Sequence, residues 1–278
     1  MTRAASLATA TRVPELPPSG PHAVVSLLTN DDRQIVTRLL GVGVVRAWQS
    51  DESFRDHVAA GSVRAIIWEI SAQPGRRAQI PNAVWETPST IPVLIRTCVS
   101  ATMAREVARM TRCAAAAGRD LFVSVNGHDS WPAVLARVFS TAEMPQSVPL
   151  TRLLDTVDPL VWDILIAAVV VARCRTSVAT LAECCQLPVR TLEARLEIAG
   201  VVAPQHLLGR LLALYAAWRF ESRPETSLKA AAPRLGFKSA SALARYLERH
   251  AGVRPRDFAN RDGFCGLLER LDVTRVVR

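Results

Sequence analysis

The stretch Leu228-Lys-Ala-Ala-Ala-Pro-Arg-Leu-Gly-Phe-Lys-Ser-Ala-Ser-Ala-Leu-Ala-Arg-Tyr-Leu247, followed by Gly252, decides how the C-terminal half folds. It reads as a short helix, a tight turn and a longer helix. Gly236 permits the turn and Ser239 can cap the second helix. Leu243 and Leu247 are spaced to face a core. Pro233 lies inside the first helix, where a proline shortens or kinks it. An earlier stretch repeats the pattern: Leu181-Ala-Glu-Cys-Cys-Gln-Leu-Pro-Val-Arg-Thr-Leu-Glu-Ala-Arg-Leu196, then Gly200. There Pro188 suits the first turn of the second helix, and Leu192 and Leu196 take the inward positions. A helical run from Gln205 to Ser222 joins the two units.

The inward leucines leave Arg190, Thr191, Ala194 and Arg195 at the surface or edge of the first unit. Ala240, Ser241, Ala244 and Arg245 take the same places in the second. A solvent face carrying Arg, Thr and Ser on the second helix is what reading a DNA major groove requires. The residues Leu181-Ala182, Leu187, Arg190, Leu192 and Leu196, then Gly236-Phe237, Ser239, Ser241, Leu243, Arg245, Leu247, Gly252 and Pro255, form a recognisable set. On them, the segment from about Leu153 to Asn260 resembles the DNA-binding domain of the AraC/XylS family of bacterial transcription regulators. The resemblance implies two helix-turn-helix units, joined by a long helix, that enter successive major grooves of double-stranded DNA. It places DNA contacts at Arg190, Thr191 and Arg195 in the first unit. In the second it places them at Lys238, Ser239, Ser241, Arg245 and Arg249. Pro188 stands where the family usually has a capping serine. Ala240 and Ala244 stand where polar base-contacting side chains are common. Alanine offers only methyl contacts, so the second unit is expected to hold phosphates, through Lys238, Arg245 and Arg249.

The charge balance agrees. The chain of 278 residues carries a formal +9, with 34 Lys and Arg against 25 Asp and Glu. Residues 1–150 contribute +3 and residues 151–278 contribute +6. The only lysines are Lys229 and Lys238; the other cations are arginines, whose planar forks suit phosphates and base edges.

Residues 22–140 have a different rhythm. Short apolar runs (Ala23–Leu28, Val42–Trp48, Val63–Ile70, Pro92–Thr97 and Leu121–Val125) alternate with helical patterns, among them Ala101–Ala117 and Ser130–Ser140. Five such runs predict a doubly wound, five-stranded parallel sheet with ligand chemistry at the strand C-terminal ends. The order resembles the receiver domain of bacterial response regulators. That resemblance implies a degenerate phosphoacceptor site at Asp31, Asp32, Glu69 and Thr97. The phosphoacceptor position falls on Glu69 rather than Asp, and Leu121 to Gly127 holds no lysine. Phosphoryl chemistry needs the nucleophile, a carboxylate-held metal and a cation, so usual phosphorylation is not expected. Receivers pair through their fourth and fifth helical elements, which would here be Ala101–Ala117 and Ser130–Ser140.

The fold class expected is therefore α/β plus all-α. A tail spans 1–21, a receiver-like α/β domain 22–140, a Pro-containing linker 141–152, the DNA-binding domain 153–262 and a C-terminal extension 263–278. The six cysteines have neither zinc spacing nor C-x-x-C pairing, and reduced, mostly buried thiols in a cytoplasmic protein are expected. No apolar run spans a bilayer. No Gly-rich phosphate loop, triad or metal cluster is present, so no enzyme, cofactor or metal is expected. The partners expected are double-stranded DNA, a second copy of the chain, and a small-molecule or protein regulator of the α/β domain. The rival reading is a protein-interaction module with a weakened DNA-binding surface.

Overall fold

The long apolar run Val63–Ile70 forms the central strand of a parallel sheet in the computed structural model. The structure describes residues 23–28, 30–40, 45–70, 80–86, 90–125, 130–138, 144, 146–223, 227–252, 254 and 263–269. The strands are β1 (Ala23–Leu27), β2 (Val45–Ala47), β3 (Val63–Ile70), β4 (Val93–Thr97) and β5 (Leu121–Val125), in the order β2-β1-β3-β4-β5. All neighbours run parallel. The strand period of two divides the side chains cleanly between the faces. Ala65, Ile67, Leu94 and Phe122 pack under α1 (Asn30–Leu40) and α5 (Trp131–Val138). Ile66, Trp68, Ile70, Val93, Ile95, Leu121 and Val123 face the opposite side. That side holds α2 (Asp51–Ala59), the single turn α3 (Asn82–Trp85) and α4 (Ala101–Ala116). Ser50 caps α2 by accepting from the Ser53 amide.

The helical part runs α6 (Ser147–Thr156), a 3-10 turn (Pro159–Val161), α7 (Trp162–Val171), α8 (Val178–Cys184), α9 (Val189–Ile198) and α10 (Pro204–Ser222). It continues with α11 (Leu228–Arg234), α12 (Ala240–Ala251) and a last helix, α13 (Phe264–Glu269). The α/β-plus-helical class agrees with the sequence reading.

Two boundaries need correction. Within the expected linker 141–152, the described residues from Gln146 onward belong to the fold. The Gln146 backbone amide donates to the Leu121 carbonyl (2.7 Å), and its side-chain oxygen accepts from the Val123 amide (2.6 Å). Gln146 thus satisfies the outer edge of β5, which an exposed edge strand otherwise leaves unpaired. Helix α6 begins one residue later and packs on α4. The second correction concerns the independence of the halves. Helix α7 is buried on every side, as an all-round apolar helix must be. It packs against α4, β5 and α6 on one side and α8 and α10 on the other. One continuous core consequently runs from Phe54 to Leu211. Val107, Met110 and Ala114 of α4, the element offered for pairing with a second copy, are buried in the core that α4 shares with α6 and α7. Within the expected C-terminal extension, residues 263–269 also contribute to the fold. Phe264, Leu267 and Leu268 of α13 are buried against α10, with Phe264 edge-on to Trp218 at 5.3 Å.

The tail 1–21 and the motif residue Pro255 lie outside the described residues. Among the described residues, no helix is long and apolar enough to cross a membrane.

Candidate nucleic-acid interface and the strand-end cluster

The pairs α8–α9 and α11–α12 repeat one another bond for bond. Cys185 donates to the Leu181 carbonyl, Gln186 to Glu183 and Leu187 to Ala182. Fifty residues on, Leu235 donates to Ala231, Gly236 to Pro233 and Phe237 to Ala232, and all six lengths lie between 2.8 and 3.1 Å. Both turns pass through the left-handed region, at Gln186 (φ 55°) and Gly236 (φ 80°). Glycine takes that conformation freely; a residue with a Cβ holds it at a cost of about 1–2 kcal/mol. Both first helices start on a serine. Ser177 accepts from the Thr180 amide (3.1 Å) and Ser227 from the Ala230 amide (3.2 Å). The second helices differ. Ser239 caps α12 by accepting from the Ala242 amide at 3.2 Å, whereas Pro188 gives α9 no side-chain cap. Leu192, Leu196, Leu243 and Leu247 are buried, as their spacing predicts. Pro233 sits in the last turn of the short α11, which ends one residue later.

The expected contact residues divide into three groups. Arg190, Thr191, Lys238, Ser239, Ser241, Arg245 and Arg249 are all exposed. None of the four cations among them forms an ion pair within the described residues. Ser239 already uses its hydroxyl oxygen as the helix cap. Arg195 is the exception, because it is turned inward. Its guanidinium forks onto Asp163 of α7, with Nη1 donating to Oδ2 at 3.0 Å and Nη2 to Oδ1 at 2.9 Å. Nη2 also donates to the Leu160 carbonyl. Asp163 is a carboxylate in an otherwise apolar, buried helix, and such a charge requires a paired cation. Arg195 supplies it, so its role here is to fix α9 to α7.

The two second helices also differ in charge. Helix α9 balances Arg190 and Arg195 with the exposed Glu193 and Glu197. Residues 238–250 carry Lys238, Arg245 and Arg249 against Glu248 alone, and Glu248 is engaged by Arg254 at 3.0 Å.

Helix α12 is seated tightly on α10. A Cβ added at Gly209 would lie 2.3 Å from the His250 Cβ. Around it, Tyr246 and His250 stand 4.4 Å apart and His206 and His250 5.3 Å apart, by ring centroids. Burial, reinforced by His206 and Arg249, pushes His250 below its ordinary value. The turn of the second unit is held from outside as well. The Arg175 amide donates to the Leu235 carbonyl at 2.8 Å, and its guanidinium lies over the Phe237 ring.

At the C-terminal edge of the sheet, the four residues of the expected degenerate site do not form one cluster. Strand alternation puts Glu69 on the face covered by α1 and α5, in register with Arg96, which is in register with Ser124. Asp32, in the first turn of α1, joins them. Its carboxylate accepts from the Trp131 indole N–H at 2.7 Å and lies 3.4 Å from the Arg96 guanidinium. Arg96 stacks on the Trp131 ring at 4.1 Å. Thr97 points to the other face, is buried, and donates to the Cys98 carbonyl. Asp31 is exposed. The sequence reading looked for a cation after β5 and missed the one inside β4. A lone arginine in the apolar run Val93–Thr97 was the available signal.

Among the described residues, no group of three or more His, Cys, Asp and Glu could hold a metal ion. The cysteines are free thiols, but only Cys185 is fully buried; Cys174 and Cys265 are exposed, contrary to the expectation of mostly buried thiols. No protein family, curated protein or solved structure matches the chain.

Proposed function

We infer that the chain is a DNA-binding transcription regulator whose helical half reads DNA and whose α/β half regulates it. The observation that carries the reading is the repeated helix–turn–helix pair, with matching turn hydrogen bonds and exposed cations at its second helices. The resemblance to the AraC/XylS family supports the same assignment. In this reading Arg190 and Thr191 reach base edges from α9, while Lys238, Arg245 and Arg249 hold phosphates from α12. Arg195 is withdrawn from the contact set.

The α/β half is read as receiver-like but independent of phosphorylation. Asp32 is already occupied by Trp131 and Arg96, so a built-in cation stands where phosphoryl chemistry would need a free carboxylate and a metal. Its partner is then a small-molecule or protein regulator, and the whole works in the cytoplasm. A homodimer would use a face other than α4.

The test is selection of bound sequences from random duplex DNA by the full chain, repeated with Arg190→Ala and Arg245→Ala. A motif of two half-units roughly one helical turn (about 10 base pairs) apart is expected. Arg190→Ala should relax specificity within one half-unit. Neutralising Arg245 or Arg249 should weaken all sequences alike and lower the salt slope by about one each. Enrichment of no motif refutes the reading.

One observation favours the rival, a protein-interaction module. Helix α9 presents Glu193, Glu197 and the 81% exposed Ile198 beside Arg190. Under that reading the selection fails, and Ile198→Asp abolishes capture of a partner by the full chain.

A further inference from the structure

We propose that the Asp163–Arg195 fork carries regulation from the α/β half to the first helix–turn–helix pair. The inference rests on the DNA-binding reading above. Asp163 is engaged from two directions. Its oxygens hold both terminal nitrogens of Arg195, and so the middle of α9. Asp163 also lines a small cleft of about 10 Å³, room for one water, with Thr97, Ser100, Ala104, Val107 and Ile166. That cleft lies where β4 ends and α4 begins. A two-bond guanidinium–carboxylate pair fixes orientation as well as distance. A shift of α7 against the cleft therefore reaches α9 as a change of angle, not only of position. Among the described residues, the second pair shows no comparable side-chain fork onto α7. It meets the loop after α7 through the Arg175 amide and the Leu235 carbonyl. Packing at the cleft thus resets α9 relative to α12, and two-unit recognition depends on that relation.

The lever for the test is Ala104, buried at the cleft and remote from every residue assigned to DNA. Ala104→Leu overpacks this small cleft and pushes α4 against α7. Hydrogen exchange of residues 189–198 is measured in the full chain without DNA, and affinity is measured on the selected duplex. Exchange in α9 should rise about fivefold or more, and affinity should fall by a comparable factor. In an Arg195→Met background, measured against its own baseline, Ala104→Leu should change neither. An equal response in that background, or no response in α9, overturns the proposal. If Ala104→Leu does not fold, Val107→Ala enlarges the cleft and is judged by the same criteria. Fork-dependent exchange in a chain that binds no DNA would refute the DNA reading and leave the coupling standing. DNA binding without the exchange response would refute the coupling alone.

Discussion

Gly209→Ala adds one carbon to the seam between α10 and α12, and the structure sets the size of the effect. The new Cβ would lie 2.3 Å from the His250 Cβ and 2.5 Å from its Cγ. Carbon atoms rest about 3.5–4.0 Å apart, so the two helices must part by more than about 1 Å. The obstructing atom is the stem of His250, which no rotamer change moves. Overpacking of this kind costs about 3 kcal/mol, at the upper end of its usual range. Alanine in place of glycine returns about 1 kcal/mol of helix propensity. The net loss is about 2 kcal/mol, or about 4–8 °C in the melting midpoint for a chain of this size. Thermal unfolding of the full chain followed by circular dichroism reads it directly. His250 variants sharpen the test. His250→Ala keeps the Cβ and removes only the ring contacts, so Gly209→Ala should still cost most of what it costs in the parent. His250→Gly removes the Cβ, and there Gly209→Ala should cost little. A Gly209→Ala protein as stable as the parent, or equal relief by both His250 variants, would refute the close-packed seam.

Ser239→Ala removes the cap of α12 and should lower stability by about 1 kcal/mol; Pro188→Ser, which offers α9 a cap, should raise it by about 0.5 kcal/mol or more, both read as urea midpoints. His250 titrates below its ordinary value because burial disfavours its charged form. The unfolded chain therefore binds its proton first, and this contribution is complete above about pH 6.5 and declines as pH falls through the window between the two values. His250→Gln should flatten the pH dependence of the urea midpoint in that window. Burial pushes the Cys185 thiol up to about 12, while Cys174 and Cys265 are exposed. Alkylation at pH 8, located by peptide mass, should mark Cys174 and Cys265 within minutes and leave Cys185 unmodified until the chain unfolds.

The strands were legible because both faces of the sheet are covered. Val63–Ile70 and Leu121–Val125 read as nearly unbroken apolar runs for that reason. The helix–turn–helix pairs were legible because their leucine spacing, turn glycine and caps are local signals. Contacts between distant segments were not. Gln146 looks like linker until β5 is known to need an edge partner. The single turn Asn82–Trp85 is too short to leave a period. Arg195 has the helical position of a surface residue, and only the buried Asp163, thirty-two residues earlier, turns it inward. Two signals in the sequence pointed that way. An acid alone inside Trp162–Val171 demands a cation, and a helix apolar on every side demands neighbours on every side.

The all-round burial of α7 has a consequence for anyone who divides the chain. Cutting it near residue 150, where the composition changes, would strip α7 of β5 and α4. The fragment carrying residues 153–278 would then expose Ile, Leu and Val side chains along the flank that α4 and β5 now cover. Each is worth about 1.5–3 kcal/mol of burial, and a patch of that kind drives association. The two halves, so different in rhythm, share one core and should melt as a single cooperative unit. A helical fragment expressed alone should aggregate.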